Sequence, residues 1–193
     1  MPIYEFEGKR PSISAGSYIH PTAVIIGEVT IGEVTIGTRC WIGPNVTIRA
    51  DMNRIRIADG SNIQDNCVIH GNTVLGPYSH IGHAATLHGT TLGEHVLVAI
   101  NATILDGSVI GDWCTIAAGA VVAPRSQIRP RKMVMGVPGV VVGDVPPMRE
   151  KNFSQAKGYV ALVQRYHEGL REVSLAEATV EATIEATIEA PVR

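Results

Sequence analysis

The stretch Asn62-Ile-Gln-Asp-Asn-Cys-Val-Ile-His-Gly-Asn-Thr-Val-Leu-Gly-Pro-Tyr-Ser-His-Ile-Gly-His-Ala-Ala-Thr-Leu-His-Gly89 decides the fold. Aliphatic residues recur every six positions, at Ile57, Ile63, Ile69, Leu75, Ile81 and Leu87. That spacing fits neither a helix nor a plain alternating strand. It is the hexapeptide pattern of a parallel β-helix, in which each hexad forms one side of a triangular coil and three hexads make a turn of about 18 residues.

His70 and His88 are 18 residues apart, and each follows its hexad's aliphatic residue by one position. The aliphatic side chain points inward, so its neighbour points outward. The two imidazoles therefore project from one face of adjacent coils, at a strand spacing of about 4.8 Å. Zinc–nitrogen bonds of about 2.0–2.1 Å suit two rings held this way. His83 lies on the neighbouring side, near a corner. The five residues from His83 to His88 span at most roughly 16–18 Å, which places the two badly for sharing one ion within a chain. A third ligand from His83 is expected to come from a second subunit, and a triangular prism suggests three subunits around a cyclic axis.

Working outward, the step from Ile48 to Ile57 is nine, an insertion of three at a corner that carries Asp51-Met52-Asn53. Allowing for it, Arg49, His70 and His88 form one outward column. A guanidinium does not ligate a metal, but its fork pairs with carboxylates, and Asp51 is a local partner. Asp65 is 18 residues from His83, so those two stack as well. Gln64 projects outward beside Asp65, where its amide can hydrogen-bond a metal-bound water. Leu105 falls on the column above His88. His20, His80 and His95 read as solvated surface or corner residues, with His80 the nearest to the site.

Residues 1–145 are expected to form the β-helix, with residues 1–18 as an N-terminal cap and coils from about Ile19. The near-duplicate Ile31-Gly-Glu-Val-Thr-Ile36 contains five-residue steps that tighten a corner. Met133-Val-Met-Gly-Val-Pro138 closes the solenoid. Pro146 and Pro147 break the pattern, and a helix follows over about 147–172 within a segment 146–173. Its stripe of Tyr159, Leu162, Val163, Tyr166 and Leu170 packs on the outside of the prism, and His167 reads as solvated. Residues 174–193 repeat Glu-Ala-Thr-Val/Ile; their pattern suits helix and strand alike, and threonine with the β-branched residues tilts it towards extended structure.

The chain has 193 residues and a formal net charge of −2, so it carries no basic footprint for nucleic acid. Aromatic content is 5%, low for a packed globule and natural for a solenoid filled with Val, Ile and Ala. Cys40, Cys67 and Cys114 are an odd set without metal-like spacing, which favours a reducing compartment. Cys67 reads as a space-filler. No apolar run suits a signal peptide or a bilayer span. A cytoplasmic protein acting without a membrane is expected.

Arg49-Ala-Asp51, Asn62-Ile-Gln-Asp65 with His70, Ile81-Gly-His83 through Leu87-His88-Gly, and Met135-Gly-Val-Pro138 together resemble the γ-class carbonic anhydrase family. The likeness is to its branch of phenylacetate-operon and carnitine-operon hexapeptide proteins, and it covers roughly residues 10–172. The resemblance implies a mainly β fold, a left-handed parallel β-helix with a C-terminal α-helix alongside. It also implies a homotrimer with a metal, Zn2+ or alternatively Fe2+ or Co2+, at each interface. His70 and His88 would come from one subunit and His83 from the next. The implied reaction is reversible hydration of CO2 to bicarbonate by a metal-bound hydroxide. In it Gln64 orients the hydroxide, Arg49, Asp51 and Asp65 hold the pocket and interface, and Tyr159 reaches in from the helix. Two family features are missing: Met52 stands where the founding type has an acid, and the 12 residues between His70 and His83 include no acid. The proton-shuttle glutamates are therefore absent.

Three rival readings share the fold. An acyltransferase using a coenzyme A thioester needs one basic histidine and a pantetheine groove. A hydrolase would turn the same hydroxide on a small acyl thioester. A metal-bound scaffold would do neither.

Overall fold

The computed structural model describes residues 2–31, 39–147 and 154–178. The register of Ile36 and the repetitive tail beyond residue 178 lie outside them. Short parallel strands stack into a three-sided β-helix, as the hexad spacing predicts. One face carries Tyr18–Ile19, Trp41–Ile42, Asn62–Ile63, His80–Ile81, Leu97–Val98, Thr115–Ile116 and Lys132–Met135, paired in that order. The second holds Val68–His70, Thr86–His88, Thr103–Ile104 and Val121–Val122, built on the first residues of Thr47–Ile57. The third holds Thr73–Leu75, Thr91–Leu92, Val109–Ile110 and Gln127–Ile128.

The corners explain how the chain turns without long loops. Each is built on residues in the left-handed region. Asn45, Asn66, Ala84, Asn101 and Gly119 line one corner, Gly71, Gly89, Gly107 and Arg125 the next, and Gly60, Tyr78, His95, Trp113 and Arg131 the third. Asparagine and glycine adopt this conformation most cheaply. At the third corner the cost for bulkier residues is offset by stacking. The His95 ring lies between Tyr78, 5.0 Å away, and Trp113, 4.0 Å away, and Arg131 sits over the indole. This corrects the solvated reading of His95: a period near 18 places corner residues one above another, and their rings find each other.

The hexad aliphatics Ile48, Ile57, Ile63, Ile69, Leu75, Ile81, Leu87, Leu92, Val98, Ile104, Ile110 and Ile116 fill one core, all at most 2% exposed. Cys40, Cys67 and Cys114 are buried free thiols. Cys67 donates its S–H to the Gly82 carbonyl at 3.0 Å, and burial pushes its thiol up to about 12. It fills space, as expected.

The three-residue insertion does not make a separate loop at a corner. Thr47–Ile57 is one 11-residue strand. Both of its ends pair with Val24–Ile31, and the register slips between Gly27 and Val29. Gly27 permits the slip: its φ is +79°, and a Cβ there would come within 2.3 Å of the Ala50 carbonyl oxygen. The N-terminal cap is itself made of strands in the solenoid register. Ile3–Tyr4 and Ser12–Ile13 both pair in parallel with Val24–Ile31. At the other end, Val140–Asp144 closes the stack antiparallel to Lys132–Met135.

Helix α1, Ser154–Gly169, lies across the first face. Val163 is buried against Tyr18 and Trp41, with Tyr159, Leu162 and Tyr166 around them. Leu170 follows the last helical residue and is 49% exposed, so the apolar stripe ends at Tyr166. His167 is exposed, its ring edge against Tyr18. A short helix α2, Leu175–Ala178, follows. Its capping box is reciprocal: Glu177 N–H donates to Ser174 Oγ, and Ser174 N–H donates to the Glu177 carboxylate. The first residues of the repetitive segment are thus helical, against the extended tilt of their composition.

Candidate functional site

His88 pairs with His70 in register, and His70 with Arg49, so the column expected from the spacing is present. The turn after each histidine is made by glycine. Gly71 has φ +70°, and a Cβ on it would lie 2.8 Å from the Gly89 nitrogen. The chain turns away tightly there, leaving both rings at the edge of the second face. His70 Nδ1 lies 2.9 Å from His88 Nε2, with ring centroids 4.9 Å apart.

Each ring has a carboxylate on its other nitrogen. Asp51 Oδ1 is 3.2 Å from His70 Nε2, and Asp106 Oδ1 is 2.7 Å from His88 Nδ1. Asp51 also accepts from the Arg49 guanidinium. Burial works to raise the Asp51 pKa, but hydrogen bonds from Arg49 and His70 outweigh it and hold the carboxyl below its usual range. A cavity of about 650 Å3 lies beside the pair, lined by Met52, His70, His88 and Asp106 among others.

The remaining expected residues collect elsewhere. His83 sits next to the corner residue Ala84, across the second face from His70 and His88. Its Nδ1 is 2.9 Å from Asp65 Oδ2. Gln64 points away from the solenoid axis yet is only 4% exposed, because α1 and its neighbours cover it. Tyr159 approaches here rather than the histidine pair. It lines a cavity of about 400 Å3 together with Gln64, His80, His83, Ile100 and Leu162. Burial, then the charge of Asp65, raises its phenol pKa.

His80 is 8% exposed, which overturns the solvated reading. Its Nε2 is 2.8 Å from Gln64 Nε2, and its ring meets the Tyr159 ring edge-on. Burial first, and His83 second, lower its pKa to about 4, so the ring is neutral at pH 7. Leu105 is part-buried above His88, but Asp106, not Leu105, meets the imidazole. His20 is part-buried and its Nδ1 bonds the Thr22 hydroxyl.

The expected site residues thus form two half-sites on opposite edges of one face: Arg49, Asp51, His70 and His88 on one, Gln64, Asp65, His83 and Tyr159 on the other. Among the described residues, no three His, Cys, Asp or Glu side chains of a single chain cluster closely enough to hold a metal. Asp106, Asn62 and His80 are additional site residues. Asp106 has a signal in the sequence, since it lies 18 residues after His88; the register at that coil has shortened to 17, with Leu87 opposite Ile104.

The donor set fits a divalent cation. A carboxylate at the far nitrogen of each imidazole places the N–H there and leaves the other nitrogen a lone-pair donor. His70 Nδ1 and His88 Nε2, 2.9 Å apart, share a hydrogen bond in the free chain; with both N–H groups turned to the carboxylates, the two nitrogens would offer their lone pairs to one cation. Tetrahedral bonds of about 2.0–2.1 Å would set the nitrogens about 3.3 Å apart, a small opening from the observed 2.9 Å.

Fold and paired histidines define a hexapeptide-repeat protein with a two-part imidazole–carboxylate site. Residues 89–124 match the family described as bacterial transferase hexapeptide (six repeats). The chain is 37% identical over 178 residues to the carnitine operon protein CaiE of Escherichia coli strain SMS-3-5, covering 89% of this chain and 88% of that protein. It belongs to the hexapeptide-repeat family, with the carnitine operon proteins. A crystal structure of a hexapeptide transferase family protein from Anaplasma phagocytophilum superposes with a TM-score of 0.81. It is 29% identical and covers 86% of this chain and 98% of that one. An N-acyltransferase from Bacillus cereus, solved with a dTDP-amino sugar and coenzyme A, shares the fold at a TM-score of 0.63 and 14% identity, over 77% of this chain and 91% of that one. No helix among the described residues is long and apolar enough to cross a membrane.

Were a divalent cation to sit on this pair, Asp106→Asn would be expected to weaken its binding by about 10–100-fold, the usual effect of losing an outer carboxylate behind a ligating histidine. Competition with a chelator of known affinity measures it. Unchanged affinity would mean that the carboxylate does not set the ring's tautomer.

Proposed function

We propose that the two half-sites join across a subunit interface of a homotrimer to bind Zn2+, or alternatively Fe2+ or Co2+, and that the assembled site hydrates CO2 reversibly to bicarbonate. The pairing of each histidine with its own carboxylate, on two separated edges of one chain, carries this reading. Two ligands are preformed, the third is preformed elsewhere, and both edges lie on one face.

When bound, the cation supplies the Lewis acidity that makes water a nucleophile near neutral pH. The chain's own residues do the rest. Asp51, Asp65 and Asp106 orient His70, His83 and His88. Arg49 neutralises Asp51 and keeps it in place. Gln64 accepts a hydrogen bond from the attacking water, and Tyr159, Leu162 and Ile100 give the cavity an apolar wall that suits an uncharged substrate. Met52 is exposed at the rim, and Asp106, the exposed carboxylate of that cavity, is engaged by the His88 ring, so it is not free to carry the released proton outward. Slow hydration follows, with rates that rise with buffer concentration.

A second reading is favoured by the names of the relatives. The transferase family match and the acyltransferase fold neighbours support acyl transfer, or cleavage of a small acyl thioester, in place of CO2 hydration. Metal analysis of the purified protein, with CO2 hydration and thioester cleavage measured before and after chelation, separates the two. The first reading expects bound metal and hydration lost on chelation. Chelator-insensitive acyl transfer by metal-free protein would replace it with the second. Metal-dependent thioester cleavage without hydration would keep the site and change the substrate.

A further inference from the structure

We propose that His80 is a positioning residue that holds the Gln64 side-chain amide with its carbonyl oxygen turned towards the cavity shared with His83 and Tyr159. The part of this that concerns what the carbonyl accepts rests on the functional reading above; the orientation itself does not.

Gln64 has two amide N–H groups and one carbonyl oxygen. His80 Nε2 lies 2.8 Å from Gln64 Nε2, and Asn62 Oδ1 lies 3.4 Å from it. Both amide hydrogens are thus directed into the protein. No hydrogen bond to Gln64 Oε1 occurs among the described residues, and the cavity is the space left to it. An imidazole nitrogen accepts only when it carries no proton, so the contact requires the Nδ1–H tautomer of neutral His80. Burial keeps the ring neutral, with a pKa of about 4.

The arrangement has a cost that marks it. His80 Nδ1 and Asn62 Nδ2 are buried with no hydrogen-bond partner. Unsatisfied buried polar groups are uncommon and call for a reason. The reverse polarity, with His80 Nε2–H and Asn62 donating to Gln64 Oε1, would relieve both the Nδ1–H and the Asn62 amide but would leave His80 Nδ1 and the Asn62 carbonyl as unpaired acceptors and would point an amide NH2 into the cavity. A donor there cannot accept from an attacking water; an acceptor can. Strand register holds the three residues together. Asn62 pairs with His80 in the sheet, Gln64 lies two residues beyond Asn62, and α1 seals them by resting Tyr159 on the His80 ring.

Long-range proton–nitrogen NMR on protein labelled with 15N-histidine reads the tautomer directly. At pH 7 the histidine whose signals vanish in His80→Gln should show the Nδ1–H pattern, and in Gln64→Leu that residue should relax to a tautomer mixture. An Nε2–H pattern, or a mixture already in the wild type, would overturn the proposal. Kinetics add a second readout on the metal-loaded protein. His80→Leu should keep wild-type metal content and lose about 10–100-fold in kcat, and His80→Gln, with an acceptor oxygen near the former Nε2, should recover part of it. Loss of metal or of assembly in His80→Leu, without rescue by His80→Gln, would assign His80 a structural role and overturn the proposal. If the wild type hydrates no CO2, the proposed reaction fails while the tautomer result still decides the orientation.

Discussion

His83→Ala and His88→Ala, each purified alone, are expected to hold no stoichiometric metal; co-expressed in equal amounts, they are expected to recover about one quarter of the wild-type content. The figure follows from closed threefold symmetry. Random assortment puts about three-quarters of the trimers in mixed form. Every mixed trimer, whichever variant is in excess, has one joint at which an intact His70–His88 pair meets an intact His83. One site in three is then whole. Metal content and chelator-sensitive activity should both recover to that level. An in-chain site gives a different result, since co-expression could not then restore what each variant lacks. Metal retained by either variant alone, or none after co-expression, contradicts the shared site.

The geometry behind this expectation was largely legible in the sequence. The six-residue spacing through Ile63, Ile69, Leu75, Ile81 and Leu87 specifies a coil, and a coil of known length turns the interval between His70 and His88 into a contact. The Asp65–His83 stack was readable for the same reason. What the spacing could not show depended on breaks in the period or on contacts distant in sequence. Asp106 was missed because the five-residue step before Leu92 shortens the turn, so Leu105 takes the register position and Asp106 reaches the imidazole from the corner beyond. His80 was misread because its cover, α1, arrives about 80 residues later in the chain; an outward residue on a bare solenoid is solvated, but under a helix it is buried. Tyr159 lies at the Gln64 cavity, away from the His70–His88 pair, and the sequence pattern alone does not say which of the two it reaches. A stripe at helical spacing tells which side of a helix is buried, not where along the prism it docks.

Leu87→Ala is expected to cost about 2–5 kcal/mol, the range for truncating a fully buried leucine in a core that cannot collapse. Leu87 is 0% exposed and sits between Ile69 and Ile104 in the stack. Parallel strands joined by hydrogen bonds at a set spacing do not close up around a missing side chain, so the cavity term stays. In a solenoid each coil is supported mainly by its neighbours, which makes the loss local. The loss falls on the strand that carries His88, and the His70–His88 pair should loosen with it. Ile128→Ala provides the control: this residue is only partly buried at the far end of the same core and should cost less, with metal affinity unchanged. Denaturant midpoints at one fixed protomer concentration, because assembly contributes to apparent stability, together with chelator competition on both variants, test the pair. Equal losses at the two positions, or full metal affinity in Leu87→Ala, would show that the core beneath the histidines does not hold them in place.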